Sequence, residues 1–487
     1  MAYNIMIQGT MSNVGKSLLT AALCRVLHQD GYRCAPFKSQ NMALNSGVTK
    51  DGLEMGRAQI LQAFAAGIEP DVRMNPVLLK PCGDTRSQVI VNGEVLGQYS
   101  AREYFAMKKK LLPGILSAYE SLAGEVDVVV IEGAGSPAEI NLKEDDIVNM
   151  GLARLVDAPV LLVGDIDPGG VFAQLYGTVK LLEEDEQRRI RGLIINKFRG
   201  DLSLLTPGIA MLKEKLGIPV VGTLPYLPLS LEAEDSLVID TGRRIHGKPV
   251  DIAVIRLPRI SNFTDLDPLC SHPLFGVRYV RKEEEYGAPD LVILPGTKST
   301  LEDLAWLRES GLAGRIMESA AEGAYVLGIC GGFQMLGAEL CDPDGTEGRG
   351  AVLSQKGLGL LPATTVFRKE KTRLRVRGMI REGYLSGVSV YGYEIHSGVT
   401  QYPADTGPVR VCARGNVCGT YLHGLFDSGE AVDRLAELLA RRKGLGMPTF
   451  QSPDRQQERE RELDALADAF RRNVDMERIM RILKRSS

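Results

Sequence analysis

The sequence predicts an α/β protein with two domains, each built around a mostly parallel sheet. Two observations predict this class. Short β-branched runs repeatedly pass through a Gly or acidic cluster into a helical pattern, and the series starts again after a polar, Gly- and Pro-bearing stretch at 240–249. The length of 487 residues agrees with roughly three domains, or two larger ones with an appendage. We therefore expect domains at 1–240 and 250–440 and a C-terminal helical extension at 452–487.

Composition excludes several classes of protein. Hydrophobic residues make up 44% and charged residues 24%, so the chain can bury full cores. The net charge of −3 lacks the basic excess of a nucleic-acid binder. No apolar run reaches the ~20 residues of a membrane span, and the first residues do not resemble a signal peptide. We expect a cytoplasmic protein with neither a nucleic-acid nor a membrane partner, and the sequence does not indicate its oligomeric state.

The strands of the first domain are expected to be buried, because each is a nearly continuous apolar run. They are predicted at 4–8, 127–131, 160–163 and 192–195. In a parallel sheet the carboxyl ends of the strands meet at one edge, where ligands bind. The turns that follow these strands are therefore the places to look for chemistry.

The second domain repeats this pattern. Its strands are predicted at 252–255, 291–294, 325–328, 409–413 and 420–422. The extension that follows is charged and helix-forming, with an apolar stripe formed by Leu463, Leu466, Phe470 and Val474. The stripe predicts a packed helix, and an interaction tail is the alternative.

A phosphate-binding loop follows the first strand. It runs from Gly9 to Ser17 and leads into a helical pattern at 18–28. Backbone amides at a helix N-terminus bind phosphate, a lysine neutralises its oxygens, and a serine hydroxyl can ligate Mg²⁺. Five residues separate Gly9 from Gly15, one more than usual, and the alternative is a purely structural turn. The predicted nucleotide-binding residues of the loop are Gly9, Thr10, Asn13, Val14, Gly15, Lys16 and Ser17.

Polar residues follow three other strands of this domain. Glu132 begins a Gly-rich cluster and is predicted, with Ser17, to hold Mg²⁺; a structural turn is the alternative. For Asp165 and Asp167, Mg²⁺ binding and a simple role in forming the turn are equally compatible with the sequence. Asn196 and Lys197 are predicted to contact the nucleotide base, and a solvated turn is the alternative. Glu132, Asp165 and Asp167 are acidic, Asn196 carries an amide and Lys197 is basic.

Cys330 lies in the second half, in the run Gly328-Ile329-Cys330-Gly331-Gly332-Phe333-Gln334. A cysteine on a strand-to-helix turn is exposed to a ligand, and the helix N-terminus favours its thiolate. The spacing resembles the Gly-x-Cys-x-Gly-x-Gln nucleophile motif of class I glutamine amidotransferases. The amide of Gly331 and a backbone amide near Gly296 are the predicted oxyanion donors. The other seven cysteines lie in no comparable turn.

His423 is the predicted base for Cys330. It follows a predicted strand 93 residues after the cysteine (423 − 330), where such a base is expected. His396 is the competing candidate, and His28, His246 and His272 are expected to have surface or packing roles. Class I amidotransferases usually carry a Glu two residues after the histidine, but this chain has Leu425. The third member of the site is left open, and a Cys/His dyad is one possibility.

A phosphate loop followed by a glutaminase resembles the cobyric acid synthase family over nearly the whole chain. The first half is similar to the dethiobiotin synthetase type of phosphate-loop domain, in its lengthened loop and in the cluster Glu132 to Gly135. The segments 36–45 and 74–81 also resemble that family.

The resemblance implies ATP- and Mg²⁺-dependent amidation of the b, d, e and g carboxylates of adenosylcobyrinic a,c-diamide, with glutamine as nitrogen donor and an acyl-phosphate intermediate. It also implies a cationic wall for the polyanionic corrinoid, although each such charge also fits an ordinary surface role. Candidate cations are Lys38, Arg57, Arg73, Lys80 and Arg86, and candidate polar contacts are Asn41 and Asn45.

Two other functions remain open from the sequence. A cobyrinic acid a,c-diamide synthase would have the same two domains but choose other carboxylates, and the segment 39–45 argues against it. A nucleotide-dependent switch of the partition-ATPase type would share the loop but would have no use for Cys330 and His423.

Overall fold

The computed structural model describes residues 2–82, 85–229, 231, 247–347, 353–403, 407–447 and 449–485. His246 and the part of the predicted boundary at 240–246 lie outside these residues. The chain divides into two units, the first formed by 1–43, 53–234 and 459–487 and the second by 44–52 and 235–458. A short segment of the first half, 44–52, therefore belongs to the second unit.

The strands and helices follow one another along the chain. The strands are β1 Tyr3–Gly9, β2 Cys34–Phe37, β3 Gln40–Met42, β4 Ser46–Val48, β5 Glu54–Gly56, β6 Val77–Pro81, β7 Arg86–Val91, β8 Glu94–Ser100, β9 Val128–Glu132, β10 Val160–Asp165, β11 Ile190–Phe198, β12 Val220–Pro225, β13 Val250–Ile255, β14 Phe275–Val280, β15 Leu291–Leu294, β16 Tyr325–Ile329, β17 Glu339–Asp342, β18 Leu353–Lys356, β19 Thr364–Met379, β20 Ser389–Gln401, β21 Val411–Arg414 and β22 Val417–Thr420. The helices are α1 Lys16–Gln29, α2 Arg57–Ala65, α3 Ala101–Glu125, α4 Met150–Leu155, α5 Val171–Lys180, α6 Glu184–Arg189, α7 Leu202–Leu216, α8 Asp267–Ser271, α9 Thr300–Glu309, α10 Leu312–Ala321, α11 Gly331–Leu336, α12 Gly429–Arg442, α13 Arg455–Asn473 and α14 Met476–Lys484.

The first unit is organised by a six-stranded sheet in the order β12-β11-β10-β1-β9-β2. All neighbouring strands in it are parallel. Strand β1 lies between β9 and β10, so the turns after these three strands meet at one edge. Alternate residues of β1 enter two different cores, Met6 on one face and Ile5 and Ile7 on the other. Helices must cover both faces, as the nearly continuous apolar runs predict.

The second unit has a six-stranded sheet in the order β14-β13-β15-β16-β22-β21. Only the pairing of β21 with β22 is antiparallel in this sheet. The predicted class, an α/β protein with two parallel-sheet domains, is confirmed. None of the described helices is both long and apolar enough to cross a membrane.

Two smaller four-stranded sheets were not predicted. One has the order β3-β6-β7-β8 and the other β18-β17-β19-β20. Strands such as β19 carry many charges and exposed positions and so lack the continuous apolar runs that mark the central strands.

The last predicted strand was wrong in its position, because β22 ends at Thr420. The amide of Leu422 donates to the Thr420 hydroxyl at 3.1 Å, which turns the chain out of the strand. The C-terminal extension forms two helices, because the amide of Asp475 donates to Val221 O at 2.8 Å and its side chain caps α14. The predicted apolar stripe, which runs from Leu463 in α13 to Val474 just after this helix, is buried in the core of the first unit.

Candidate active sites

The phosphate loop wraps around the N-terminus of α1. Gly15 precedes the helix with φ +97°, a left-handed conformation that favours glycine. A Cβ at Gly15 would lie 2.3 Å from Asn196 Nδ2, and one at Gly9 would lie 2.5 Å from Val14. Thr10 is tied to the neighbouring strand, because its amide donates to Val163 O at 2.9 Å. The loop is thus fixed by close packing that only small residues permit at these positions.

Lys16 is buried and bridges two turns. Its Nζ donates to Met11 O at 2.9 Å and to Gly135 O at 3.1 Å. The phosphate loop and the Gly-rich cluster after β9 therefore meet at this ammonium group. A nucleotide phosphate bound at the helix N-terminus would exchange these carbonyl partners for charged oxygens.

Glu132 is the centre of a buried polar network. Its Oε1 accepts from Ser17 Oγ at 2.7 Å and from Lys38 Nζ at 2.9 Å. Its Oε2 accepts from Gln62 Nε2 at 2.6 Å and from Gln59 Nε2 at 3.4 Å. The predicted metal pair, Ser17 and Glu132, is thus in direct contact. Gln59 and Gln62 were missed, because two glutamines on α2 carry no local motif.

Asn196 and Lys197 pack against the phosphate loop. Asn196 Nδ2 donates to Val14 O at 2.8 Å, and Lys197 Nζ donates to Asn13 O at 2.7 Å. Lys197 also pairs with Asp165 at 2.7 Å. These contacts place both residues beside the predicted nucleotide site, where they brace the loop backbone. Asp167 pairs with Arg199 at 3.0 Å.

The candidate corrinoid contacts are divided between the two units. Lys38 and Asn41 lie in the first unit and join the polar network, since Asn41 Nδ2 donates to Gln59 Oε1 at 2.9 Å. Lys80 forms a second buried ion pair, with Glu54 at 2.9 Å. Asn45 is buried in the second unit. The two lysines are thus neutralised by carboxylates.

The three candidate arginines are also engaged. Arg73 pairs with Asp71 at 2.7 Å and with Glu125 at 2.6 Å. Arg86 Nη2 donates to Gln98 O at 2.9 Å, and Arg57 begins α2. Of the five candidates for the expected cationic wall, Lys38, Lys80 and Arg73 are thus paired with carboxylates.

Cys330 lies between β16 and α11 with φ +52°. This conformation is costly for a residue with a Cβ and is typical of a nucleophile held at a sharp turn. The two residues that follow it, Gly331 and Gly332, have no room for a side chain. A Cβ at Gly332 would lie 2.0 Å from Leu294 O, and one at Gly331 would lie 3.2 Å from the amide nitrogen of Thr297.

His423 interacts electrostatically with the Cys330 thiol, which itself donates to Ile395 O at 3.6 Å. Its backbone is held by two hydrogen bonds to Tyr393, at 3.1 and 2.8 Å, and its ring stacks on the Tyr393 ring with centroids 5.3 Å apart. His396 instead stacks on Tyr421 at 3.6 Å and its Nδ1 lies 2.6 Å from Gly398 O. The geometry therefore favours His423 over His396 as the base.

Asp265 is a third member of this site that the sequence did not reveal. It is buried in the turn Phe263–Leu266. Its Oδ2 accepts from His423 Nδ1 at 2.6 Å, and its Oδ1 accepts from the amide of Gly424 at 3.1 Å. It fills the role that the missing Glu at Leu425 would have, from 158 residues upstream. No local spacing could have signalled it.

Two opposing effects set the charge of His423. Burial lowers its pKa, but the Asp265 carboxylate and the Cys330 thiol outweigh burial and raise the pKa of His423 to about 10. An imidazolium is therefore favoured, and it can stabilise a thiolate on Cys330. Burial raises the pKa of Cys412 to about 11 and that of Cys418 to about 12, which keeps these two thiols protonated.

Gly296 lies beside the imidazole. A Cβ there would be 3.1 Å from His423 Cε1, so any side chain at this position would crowd the ring. The turn that contains Gly296 also contacts Gly331 through Thr297. Both predicted oxyanion donors are thus next to the Cys330 turn. A thiol nucleophile, an oriented base and two amide donors form the apparatus of acyl transfer.

Comparisons with known proteins agree with this division of chemistry. Residues 251–431 match the family described as CobB/CobQ-like glutamine amidotransferase domain. Residues 5–237 match the family described as CobQ/CobB/MinD/ParA nucleotide binding domain.

Curated relatives are similar over the full chain. The cobyric acid synthase of Lachnoclostridium phytofermentans is 52% identical over 514 residues, covering 99% of each chain. That of Ruminiclostridium cellulolyticum is 52% identical over 504 residues, covering 99% of this chain and 98% of the relative. That of Citrobacter koseri is 49% identical over 505 residues, covering 99% of each chain.

Proposed function

We propose, since this chain belongs to the cobyric acid synthase family, that it converts adenosylcobyrinic a,c-diamide to adenosylcobyric acid with ATP and glutamine. The observation that carries the proposal is the similarity to cobyric acid synthases over 99% of the chain. The chain also has the two sites that this reaction needs, a phosphate loop and a Cys/His/Asp site. Four amidations, of the b, d, e and g carboxylates, would each use one ATP and one glutamine.

The glutaminase half of the reaction is assigned to Cys330 and His423, in the domain proposed at 250–440. The Cys330 sulfur attacks the side-chain carboxamide carbon of glutamine, and the amides of Gly331 and Gly296 stabilise the resulting oxyanion. His423 gives its proton to the departing ammonia, which leaves a glutamyl thioester. Water, deprotonated by His423, then releases glutamate and restores the thiol. Asp265 holds the imidazole in the required orientation throughout.

The synthetase half is assigned to the domain proposed at 1–240, with 452–487 as its helical extension. A substrate carboxylate attacks the γ-phosphorus of ATP, giving an acyl-phosphate and ADP, and ammonia then displaces phosphate to form the amide. Lys16 and the loop amides neutralise the transferring phosphoryl group. Asn196 and Lys197 are the proposed base contacts, and the proposed corrinoid contacts are Lys38, Asn41, Asn45 and Lys80.

Ser17 and Glu132 suit Mg²⁺, because a hydroxyl and a carboxylate oxygen lie 2.7 Å apart and both are hard oxygen donors. When bound there, Mg²⁺ would neutralise negative charge on the nucleotide phosphates. Lys38, Gln59 and Gln62 orient the Glu132 carboxylate.

The test is to incubate the protein with ATP, Mg²⁺ and glutamine and to follow the corrinoid product by mass spectrometry. Adenosylcobyrinic a,c-diamide and cobyrinic acid are supplied in separate reactions. The proposal predicts four amidations of the first substrate and none of the a and c carboxylates of the second. Conversion of cobyrinic acid to its a,c-diamide would contradict it, as would ATP hydrolysis without any amidation.

A further inference from the structure

Asp303 is a buried carboxylate that the reaction described above does not use. It lies in the first turn of α9 with no exposed surface. Its Oδ2 accepts from Thr297 Oγ1 at 2.5 Å and from the amide of Arg259 at 3.1 Å. One oxygen thus joins two backbone segments that are about forty residues apart in the chain.

Both segments belong to the glutaminase site. The first is the turn of Gly296 and Thr297, which lies against the His423 ring. The second runs from Arg259 to Asp265 and ends in the carboxylate that orients His423. The two also pair directly, since the amide of Ser261 donates to Gly296 O at 2.9 Å and the amide of Lys298 to Arg259 O at 3.0 Å. Asp303 adds a third link between the two segments, because it accepts a hydrogen bond from each of them.

The charge of this carboxylate is only partly compensated, because its ion pair with Arg259 is long. Its Oδ1 has no hydrogen-bond partner among the described residues, and Arg259 Nη1 lies 3.6 Å from it. Burial raises the pKa of Asp303 to about 6, although Thr297 and Arg259 oppose this, and Glu302 adds a like charge. Glu347, which is half-buried, interacts unfavourably with Asp303 as a second acidic group. A buried carboxylate with incomplete hydrogen bonding, next to an active site, indicates a functional role more than a stabilising one.

We propose that Asp303 is a positioning residue for glutamine hydrolysis, which fixes the Gly296 turn against the segment that carries Asp265. It thereby sets the distance between the oxyanion donor and the oriented base. The role rests on the proposed function, because it acts through Gly296, Asp265 and His423. It concerns the rate of thioester formation and not the affinity for glutamine, since no contact with substrate is required.

The test compares Asp303→Asn and Asp303→Ala in the full-length protein. Asn keeps an oxygen acceptor but loses the charge, so we expect kcat for glutamine hydrolysis to fall roughly ten-fold, and roughly a hundred-fold for Ala, because small displacements of catalytic groups have effects of this size. KM for glutamine and the rate of ammonia-dependent amidation should stay near wild type. Thr297→Val removes the hydrogen bond of the Thr297 hydroxyl to Asp303 outright, so kcat should fall at least as far as in Asp303→Asn.

The control is Asp251→Asn, which breaks the ion pair of Asp251 with Arg278 at 2.8 Å in the same unit and should leave kcat unchanged. The melting temperature of Asp303→Asn at pH 8 should not fall, because the buried charge is removed. Unchanged kcat in both Asp303 variants would overturn the proposal, as would a loss explained by an equal loss of ammonia-dependent amidation. Glutamine hydrolysis that survives in Cys330→Ala would instead contradict the proposed function itself.

Discussion

The imidazole of His423 depends on a residue from another part of the chain. Asp265 Oδ2 accepts a hydrogen bond from His423 Nδ1 at 2.6 Å, and both groups are almost entirely buried. In water such a pair would contribute little, but burial makes the charge of Asp265 decisive for the protonation of the ring. The motif around Cys330 could be read from the sequence because its residues are neighbours. Asp265 could not, because only the fold brings it to the histidine.

Asp265→Asn should slow glutamine hydrolysis by roughly a hundred-fold or more, because it weakens both the orientation and the charge of the base. The pKa of His423, about 10 in the wild type, should fall, so alkylation of Cys330 by iodoacetamide near pH 7 should also slow. The measurements are kcat for glutamine and the alkylation rate between pH 5 and pH 9. Unchanged alkylation kinetics in a folded variant would contradict the assigned role of Asp265.

The same raised pKa gives a stability test. A histidine whose pKa is raised by folding stabilises the protein most below its unfolded pKa near 6.5, and the contribution is lost as pH rises through about 10. The free energy of unfolding of Asp265→Asn should therefore differ most from wild type at pH 6 and least near pH 10. Denaturant titrations at both values measure it, and a difference that grows with pH would contradict the assignment.

Glu132 should matter for both chemistry and stability. Its carboxylate accepts from Lys38 inside a buried network, so Glu132→Gln leaves a buried ammonium uncompensated, which costs about 3–5 kcal/mol. We expect a lower melting temperature together with a weaker response to Mg²⁺ in ATP-dependent amidation. The control is Lys38→Met combined with Glu132→Gln, which should recover stability but not the Mg²⁺ response. If the double variant restores both, Glu132 is purely structural.

At the scale of elements, the central parallel strands could be predicted and the additional sheets could not. Strands such as β10 and β15 are buried on both faces and so read as continuous apolar runs. Strands such as β19 carry mixed and charged positions, because one side of such a sheet is free of the core. A single packed C-terminal helix was predicted from the apolar stripe at 463–474, but the break at Val474 into two helices was not, since it depends on pairing with β12.

Helix α13 supports the phosphate-loop unit. Phe470 is fully buried in the core that also contains residues of β1 and α1, and Arg471 pairs with Asp30 of that unit at 2.8 Å. Phe470→Ala should lower the free energy of unfolding by about 3–5 kcal/mol, whereas Arg472→Ala on the exposed side of α13 should have little effect. Urea denaturation of both variants tests this. Equal stability of the two would show that α13 is not part of the core.

At the scale of the whole molecule, the proposed function places two reactions in two structural units. The proposed nucleophile and base of the glutaminase belong to the second unit, and the phosphate loop with Glu132 belongs to the first. In this proposal, ammonia is the product of the second unit that the first unit uses. It follows that a defect in one reaction need not impair the other.

The most direct test supplies Cys330→Ala with either glutamine or a high concentration of ammonium chloride at a pH that populates free ammonia, with Lys16→Ala measured in parallel. Because the thiol serves only to release ammonia, Cys330→Ala should lose glutamine-dependent amidation and keep the ammonia-dependent reaction. Lys16→Ala should lose both, because the loop from Gly9 to Ser17 contains no second cation that would neutralise the transferring phosphoryl group. Loss of ammonia-dependent amidation in folded Cys330→Ala, or its survival in Lys16→Ala, would contradict the division of labour.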